Sequence, residues 1–170
     1  MKKRFLLLIT SLFLLSGCSQ SKSNEINVNN PYEVAKGTST LSYYDTEDNI
    51  STDDFTILER KPSNIIGIRE QNNNCIIIHD GTIRCIYIVD EDIMTYKGIS
   101  VGDNIDKLDD IFSNASQFQD AYSVLFNGIA EEDPANPNKE DTWIWITYFN
   151  DGSKITSIQI YDVLYGSELK

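Results

Sequence analysis

The chain has 170 residues, with 26 Asp and Glu against 14 Lys and Arg, for a net charge of −12. That length supports one domain with a real hydrophobic core. So acidic a balance repels nucleic acid and anionic lipid headgroups, excluding both as charge-held partners, and attracts cationic ones.

Lys2, Lys3 and Arg4 open the chain, followed by the apolar run Phe5 to Leu15. A basic start, a short apolar stretch and small residues read as an export signal, whereas a membrane span needs about 20 apolar residues. Leu15-Ser16-Gly17-Cys18 resembles the signal of bacterial lipoproteins. The resemblance implies removal of residues 1–17 and a diacylglycerol on the Cys18 thiol. The mature chain is then held on the extracytoplasmic face of the cell membrane. The alternative is an ordinary secretory signal with an incidental Cys. Two acyl chains, at about 0.8 kcal/mol per buried methylene, anchor stably where one is marginal. Losing the three basic residues takes Lys and Arg from 14 to 11 and the net charge to −15. The many Asn, Ile, Lys and Asp residues fit an AT-rich genome and a Gram-positive surface.

Ser19 to Thr40 is polar and reads, with Cys18, as a flexible tether over 18–40, reaching about 25 Å. Tyr32 to Val34 has the alternative of packing as an edge strand. Residues 41–170 form the folded body. Within it, Cys75 to Asp90 and Ile144 to Asp162 each read strand, Asp-Gly turn, strand, closing Asp (Asp80-Gly81 and Asp151-Gly152). Asp-Gly between β-branched runs is the strongest short-range hairpin signal, so both are predicted hairpins, the first around 75–89. Their likeness has two readings, a worn duplication or shared turn chemistry. Asn64 to Arg69 is expected to add a strand.

Between the hairpins, Ile105, Leu108, Ile111 and Phe112 form the apolar stripe of a short helix. Asp103 is expected to N-cap it and Asp106 to sit at its positive end. A second helix is predicted from Ser116 to Phe126, ended by Asn127-Gly128. Residues 131–141 form a polar loop. Strands, then helices, then strands predict an α+β fold: an antiparallel sheet of about 4–6 strands with one or two short helices on one face.

Gly98-Ile99-Ser100-Val101-Gly102-Asp103, the helix after it and the later aromatic hairpin resemble a unit of small lipoproteins. It is the helix-helix-strand-strand-strand module of the beta-lactamase inhibitor protein family and of outer-membrane assembly lipoproteins. The match spans residues 96–162. No Gly-Ile-x-Val-Gly block precedes the first hairpin, so a full tandem of the unit is not expected. The resemblance implies a non-catalytic module that binds another protein.

Catalytic signals are sparse. His79 stands beside Asp80 at a turn, and strand neighbours point to opposite faces, so no dyad is expected. Phosphate-loop, dinucleotide and nucleophile-elbow motifs are absent from the sequence, and the Asp and Glu clusters lack calcium-loop spacing. One His and two Cys ten residues apart do not have zinc spacing. No cofactor and no metal is expected.

Trp143 and Trp145 share a strand face with Thr147 and Phe149, opposite Ile144, Ile146 and Tyr148. Either the strand is covered on both sides, or the Trp face is a binding platform, with Glu131, Glu132 and Asp133 in the loop before it. With Cys18 lipidated, Cys75 and Cys85 remain in an oxidising compartment. A two-residue loop at Asp80-Gly81 puts the two sulfurs on opposite faces. A three-residue loop that includes His79 puts Cys75 directly opposite Cys85, where a disulfide fits. The bridged register is the expected one.

The reading is a lipid-anchored extracytoplasmic module that binds a protein or cell-wall partner of basic character and catalyses nothing. Two alternatives stand beside it: an inhibitor or immunity-type protein blocking one enzyme, and a small cell-wall or carbohydrate-active enzyme using paired carboxylates.

Overall fold

A computed structural model describes residues 28–43, 45–50, 53–59, 61, 67–113, 115–127 and 143–162. In chain order the strands are β1 (Glu33–Lys36), β2 (Ser39–Ser42), β3 (Thr56–Glu59), β4 (Cys75–His79), β5 (Thr82–Ile88) and β6 (Ile93–Thr95). After them come β7 (Ile99–Ser100), the helix α1 (Asp106–Ile111), β8 (Ser116–Phe118), β9 (Ala121–Asn127), β10 (Trp143–Asn150) and β11 (Ile155–Asp162). A seven-stranded sheet runs β3-β4-β5-β11-β10-β9-β8 and a four-stranded one β2-β1-β6-β7. The described residues are mostly strand with one short helix, and two sheets replace the single antiparallel sheet of about 4–6 strands expected; every pairing is antiparallel except β3 with β4. Among the described residues no helix is long and apolar enough to cross a membrane.

Both predicted hairpins form. Asp80 and Gly81 take positive φ, 52° and 72°, the type I′ geometry that matches the twist of the flanking strands. The second turn is longer, Asp151–Lys154, and the Asp151 carboxylate accepts from the Ser153 and Lys154 N–H groups at 2.9 and 2.8 Å. These backbone donors, Lys154 first, hold the Asp151 carboxyl below its usual range.

Each outgoing strand carries one extra residue just past its turn. Ile78 pairs Ile83 while Ile77 pairs Cys85, so Arg84 is the bulge. Asn150 pairs Ile155 while Phe149 pairs Ser157, so Thr156 is the bulge. A bulge raises local twist and flips the side-chain parity beyond it. β5 and β11 then pair across the middle of the sheet, Ile86 with Ile160 and Ile88 with Ile158.

The main core lies between the sheets. Val34 and Leu41 of the small sheet meet Ile76, Ile86, Ile146 and Ile158 of the large one, and Leu108 and Phe112 enter from α1. Ile105 and Ile111 pack at its margin, as the helical stripe predicts.

Four further expectations are corrected. The segment read as a tether enters the fold by Val28: Val28, Tyr32, Val34 and Ala35 are buried, and β1 is an inner strand of the small sheet. Its short run reads as polar, yet alternate residues face the core, and the Val28 carbonyl accepts from the Lys97 N–H at 2.9 Å.

The second helix is instead the hairpin β8–β9, turning at Gln119 (φ 48°) and Asp120. Tyr122, Val124 and Phe126 alternate toward the core, while Phe118, Tyr122, Leu125 and Phe126 carry the helical repeat, so the segment fits both periods. The open edge of β10 decides between the two, giving β9 seven residue pairs.

The strand expected at Asn64 to Arg69 is not found among the described residues: 62–66 lie outside them and Ile68–Glu70 is a 3-10 turn. The strand preceding the first hairpin is β3. Finally, Asp103 does not cap α1. Its carboxylate accepts from the Ser100 N–H at 2.9 Å and from Lys107 Nζ at 2.7 Å, while the Asn104 side chain accepts from the Asp106 N–H at 3.0 Å.

That Asp103 loop reveals an internal repeat. The Ile155 N–H donates to the Asp103 carbonyl at 2.9 Å, and the Ile105 N–H to the Ser153 carbonyl at 3.0 Å. In the first half the Asp45 carboxylate accepts from the Ser42 N–H, at 2.6 Å. Likewise the Ile83 N–H donates to the Asp45 carbonyl at 3.2 Å, and the Glu47 N–H to the Gly81 carbonyl at 3.3 Å. Leu41-Ser42-Tyr43 thus corresponds to Ile99-Ser100-Val101, and Leu41, Tyr43, Ile99 and Val101 are all buried.

The equivalent bulges Arg84 and Thr156 keep the same offset, and β1–β2 and β6–β7 are matching hairpins joined through β1 and β6. The first half therefore carries its own docking block, under residues without the Gly-Ile-x-Val-Gly spelling. The halves part at their third strand, parallel in one (β3) and antiparallel in the other (β9).

Replacing Asp103 by Ala strips the acceptor from Ser100 and Lys107. We expect a loss of about 1–2 kcal/mol, the lower part of the range for charge-assisted bonds because the carboxylate is partly solvated. Asp45→Ala is expected to cost a similar amount. Urea unfolding with an unmoved midpoint in both variants would show that these loops do not hold the hairpins.

Candidate functional site

The large sheet has a second face, away from the main core. β10 sends Ile144, Ile146 and Tyr148 into the core and Trp145, Thr147 and Phe149 to the other side. The expected parity is therefore present. On that side Thr147 and Phe149 are buried, while Trp145 is half-buried. The Trp143 side chain and Glu131, Glu132 and Asp133 lie outside the described residues.

One half of this second face is capped. Ile68 packs with Cys75, Ile77, Cys85 and Tyr87 in a separate small cluster. Arg69 follows it, with its guanidinium 3.8 Å from the Phe149 ring centre and an Nη2 contact to Asp120 at 3.3 Å. The Tyr87 hydroxyl donates to the Arg69 carbonyl at 3.3 Å, fixing the turn on the sheet. A guanidinium over an aromatic face contributes about 0.5–2 kcal/mol. Arg69 had no signal in the sequence, because its partners are brought to it only by the sheet.

The other half is the candidate site. Trp145 and Leu125 are half-buried beside a polar strip, and Tyr161, also half-buried, joins them to the edge of the Ile68 cluster. Ser123 Oγ and Thr147 Oγ1 stand 3.0 Å apart, and Gln159 Nε2 donates to Cys85 Sγ at 3.4 Å. Aromatic and aliphatic surface beside a few hydroxyl and amide groups is the composition of an interface core.

The structure does not place Cys75 opposite Cys85. Cys75 pairs Tyr87, Cys85 pairs Ile77, and neither is in a disulfide. The loop has two residues, but the Arg84 bulge restores both sulfurs to one face, one diagonal step apart. Diagonal neighbours stand about 7–8 Å apart at Cα, beyond what a disulfide spans without backbone movement. Cys75 Sγ donates to the Asn73 carbonyl at 3.3 Å, and burial pushes its thiol above the ordinary range.

His79 and Asp80 do meet, Nε2 to Oδ2 at 3.4 Å, because Asp80 belongs to the turn and not to the strand. The pair is at the solvent-facing tip of the hairpin. The Tyr122 hydroxyl donates to Asp109 at 2.8 Å and is pushed up to about 12 by burial and by that carboxylate, so it holds its proton at neutral pH. Tyr148, fully buried, is pushed higher by burial. Its hydroxyl lies beside Thr95 yet makes no hydrogen bond of good geometry among the described residues. Among the described residues no group of three or more His, Cys, Asp or Glu is placed to hold a metal ion.

Comparison with protein-family models, curated proteins and solved structures finds no match.

Both thiols should resist maleimide in the folded chain at pH 8 and react together in urea, as read by intact mass. A Cys75–Cys85 cross-link in the folded chain would show a register other than the one described.

Proposed function

We propose that this chain is a lipid-anchored extracytoplasmic module that binds a partner and catalyses nothing. The signal ending at Cys18 supports the anchor, and the half-covered aromatic strip at Trp145, Leu125 and Tyr161 is the observation that carries the binding role. Large side chains on a rigid central strand lose little entropy on contact, which suits them to anchor an interface. The partner is a protein or a cell-wall component, drawn by the net charge of −15 that remains once residues 1–17 are removed.

Two substitutions test this. Cys18→Ala should leave the protein unprocessed or released from membranes. Mass spectrometry of the native N-terminus without acyl addition would remove the anchor. Trp145→Ala should cost less than about 2 kcal/mol, against about 2–5 for Ile146→Ala in the core, while capture of the partner from surface extracts falls at least tenfold. Capture undiminished by Trp145→Ala would move the site elsewhere.

A further inference from the structure

The two halves of the repeat do not fill the space beside the small sheet in the same way. In the second half, Thr95 and Ile99 pair across β6–β7. The Thr95 hydroxyl donates to the Ile99 carbonyl at 2.8 Å, with Tyr148 beside it. Phe112 follows at 5.9 Å from Tyr148, ring centre to ring centre, and Tyr96 and Phe126 close the cluster. The equivalents of Thr95 and Ile99 in the first half are Val34 and Leu41. There the residue matching Tyr148 is the smaller Ile76, and a three-residue 3-10 turn, Glu47–Asn49, stands where the second half has α1. Val34 and Leu41 consequently line an open pocket of about 300 Å³, together with Phe55, Ile93, Lys36 and Asp54.

The pocket has an apolar floor and a charged wall. Lys36 Nζ is 2.9 Å from Asp54, 3.3 Å from Asp92 and 3.8 Å from Asp90. Three carboxylates face one ammonium, an excess of two negative charges. The Asp90 carboxylate and the Asp54 backbone are held by Asn74, which is buried. Its amide donates to the Asp90 carboxylate at 2.7 Å and to the Asp54 carbonyl at 3.1 Å. Its oxygen accepts from the Val89 and Asp90 N–H groups at 2.9 and 3.1 Å. With the Asp90 carboxylate and the Asp54 backbone fixed in this way, less freedom is lost when a cation arrives.

We propose that this pocket receives one basic side chain, arginine or lysine, from a protein partner. The hydrocarbon stem lies on Val34, Leu41, Phe55 and Ile93, and the cationic head takes Asp54 while Lys36 stays with Asp90 and Asp92. A pocket of about 300 Å³ has room for one such side chain. A stem that packs on apolar surface with its charge at the rim is how long basic side chains bury best. The overall charge of −12 favours a basic protein surface as the source. The site is separate from the Trp145 face and does not depend on it.

The test is amide chemical-shift mapping on the full chain in mild detergent. The probes are the capped tripeptide Gly-Arg-Gly and its citrulline counterpart, which keeps shape and loses charge. The arginine peptide should shift Lys36, Leu41 and Phe55 saturably, with affinity at least tenfold above the citrulline peptide. Asp54→Asn should weaken it at least tenfold. Thr40→Phe, at the exposed rim of the pocket and leaving every carboxylate intact, should block it, so the proposal does not rest on one variant folding. Trp145→Ala should leave these shifts unchanged, separating this site from the proposed binding face. Equal binding of the two peptides, shifts confined to other residues, or no shift at millimolar arginine peptide would each overturn the proposal.

Discussion

The architecture depends on one interaction made twice: an Asp carboxylate that folds its own loop so the loop backbone meets a hairpin turn. In each half, Asp45 or Asp103 accepts from the amide three residues earlier, and the carbonyl of the same Asp then accepts from Ile83 or Ile155. Without the side-chain bond the loop has no reason to present that carbonyl. Without the carbonyl, the hairpin end has an unsatisfied amide where the two sheets meet. An orphaned buried donor costs about as much as a lost hydrogen bond, so the small sheet and the hairpin hold each other. In the second half, Lys107 Nζ adds a charge-assisted bond to Asp103 and reaches the Gly98 carbonyl at 2.8 Å, which ties α1 to the same loop.

The bulges at Arg84 and Thr156 follow from this docking. A regular ladder running straight from the turn would carry the hairpin past the loop with the wrong face inward. One extra residue resets the parity so that Ile86, Ile88, Ile158 and Ile160 all enter the core and can pair across the middle. The same reset puts Cys85 on the second face with Cys75 but opposite Ile77. Both cysteines are therefore packing residues in a small cluster under Ile68.

The repeated arrangement supplies the frame, and departure from symmetry supplies surfaces to use. The second half closes its end with Tyr148, Phe112 and the β8–β9 hairpin. The first half has Ile76 and a single 3-10 turn in the corresponding places, and it keeps a pocket whose charged wall is Lys36 and Asp54. On the opposite side, Arg69 covers Phe149 and stops short of Trp145. A symmetric sheet alone would carry neither feature.

Local signals in the sequence determined the two Asp-Gly hairpins, the stripe of α1, the parity of β10 and the charge of the chain. Each of these depends on residues within a few positions of one another. The tertiary structure decided whatever needed a distant partner. Ser116 to Phe126 fits either period, and the free edge of β10 makes it a strand. Val28 to Ala35 looks like a tether until β6 pairs with it. The first docking block is spelled Leu41-Ser42-Tyr43, and only the bonds of Asp45 to Ser42 and Ile83 show it to be the counterpart of Ile99-Ser100-Val101. The cysteine register turned on a bulge, whose position is set by the loop the hairpin docks against and not by the hairpin's own residues. Local chemistry is written in neighbours, whereas register, edge and cover are settled by segments that the sequence keeps far apart.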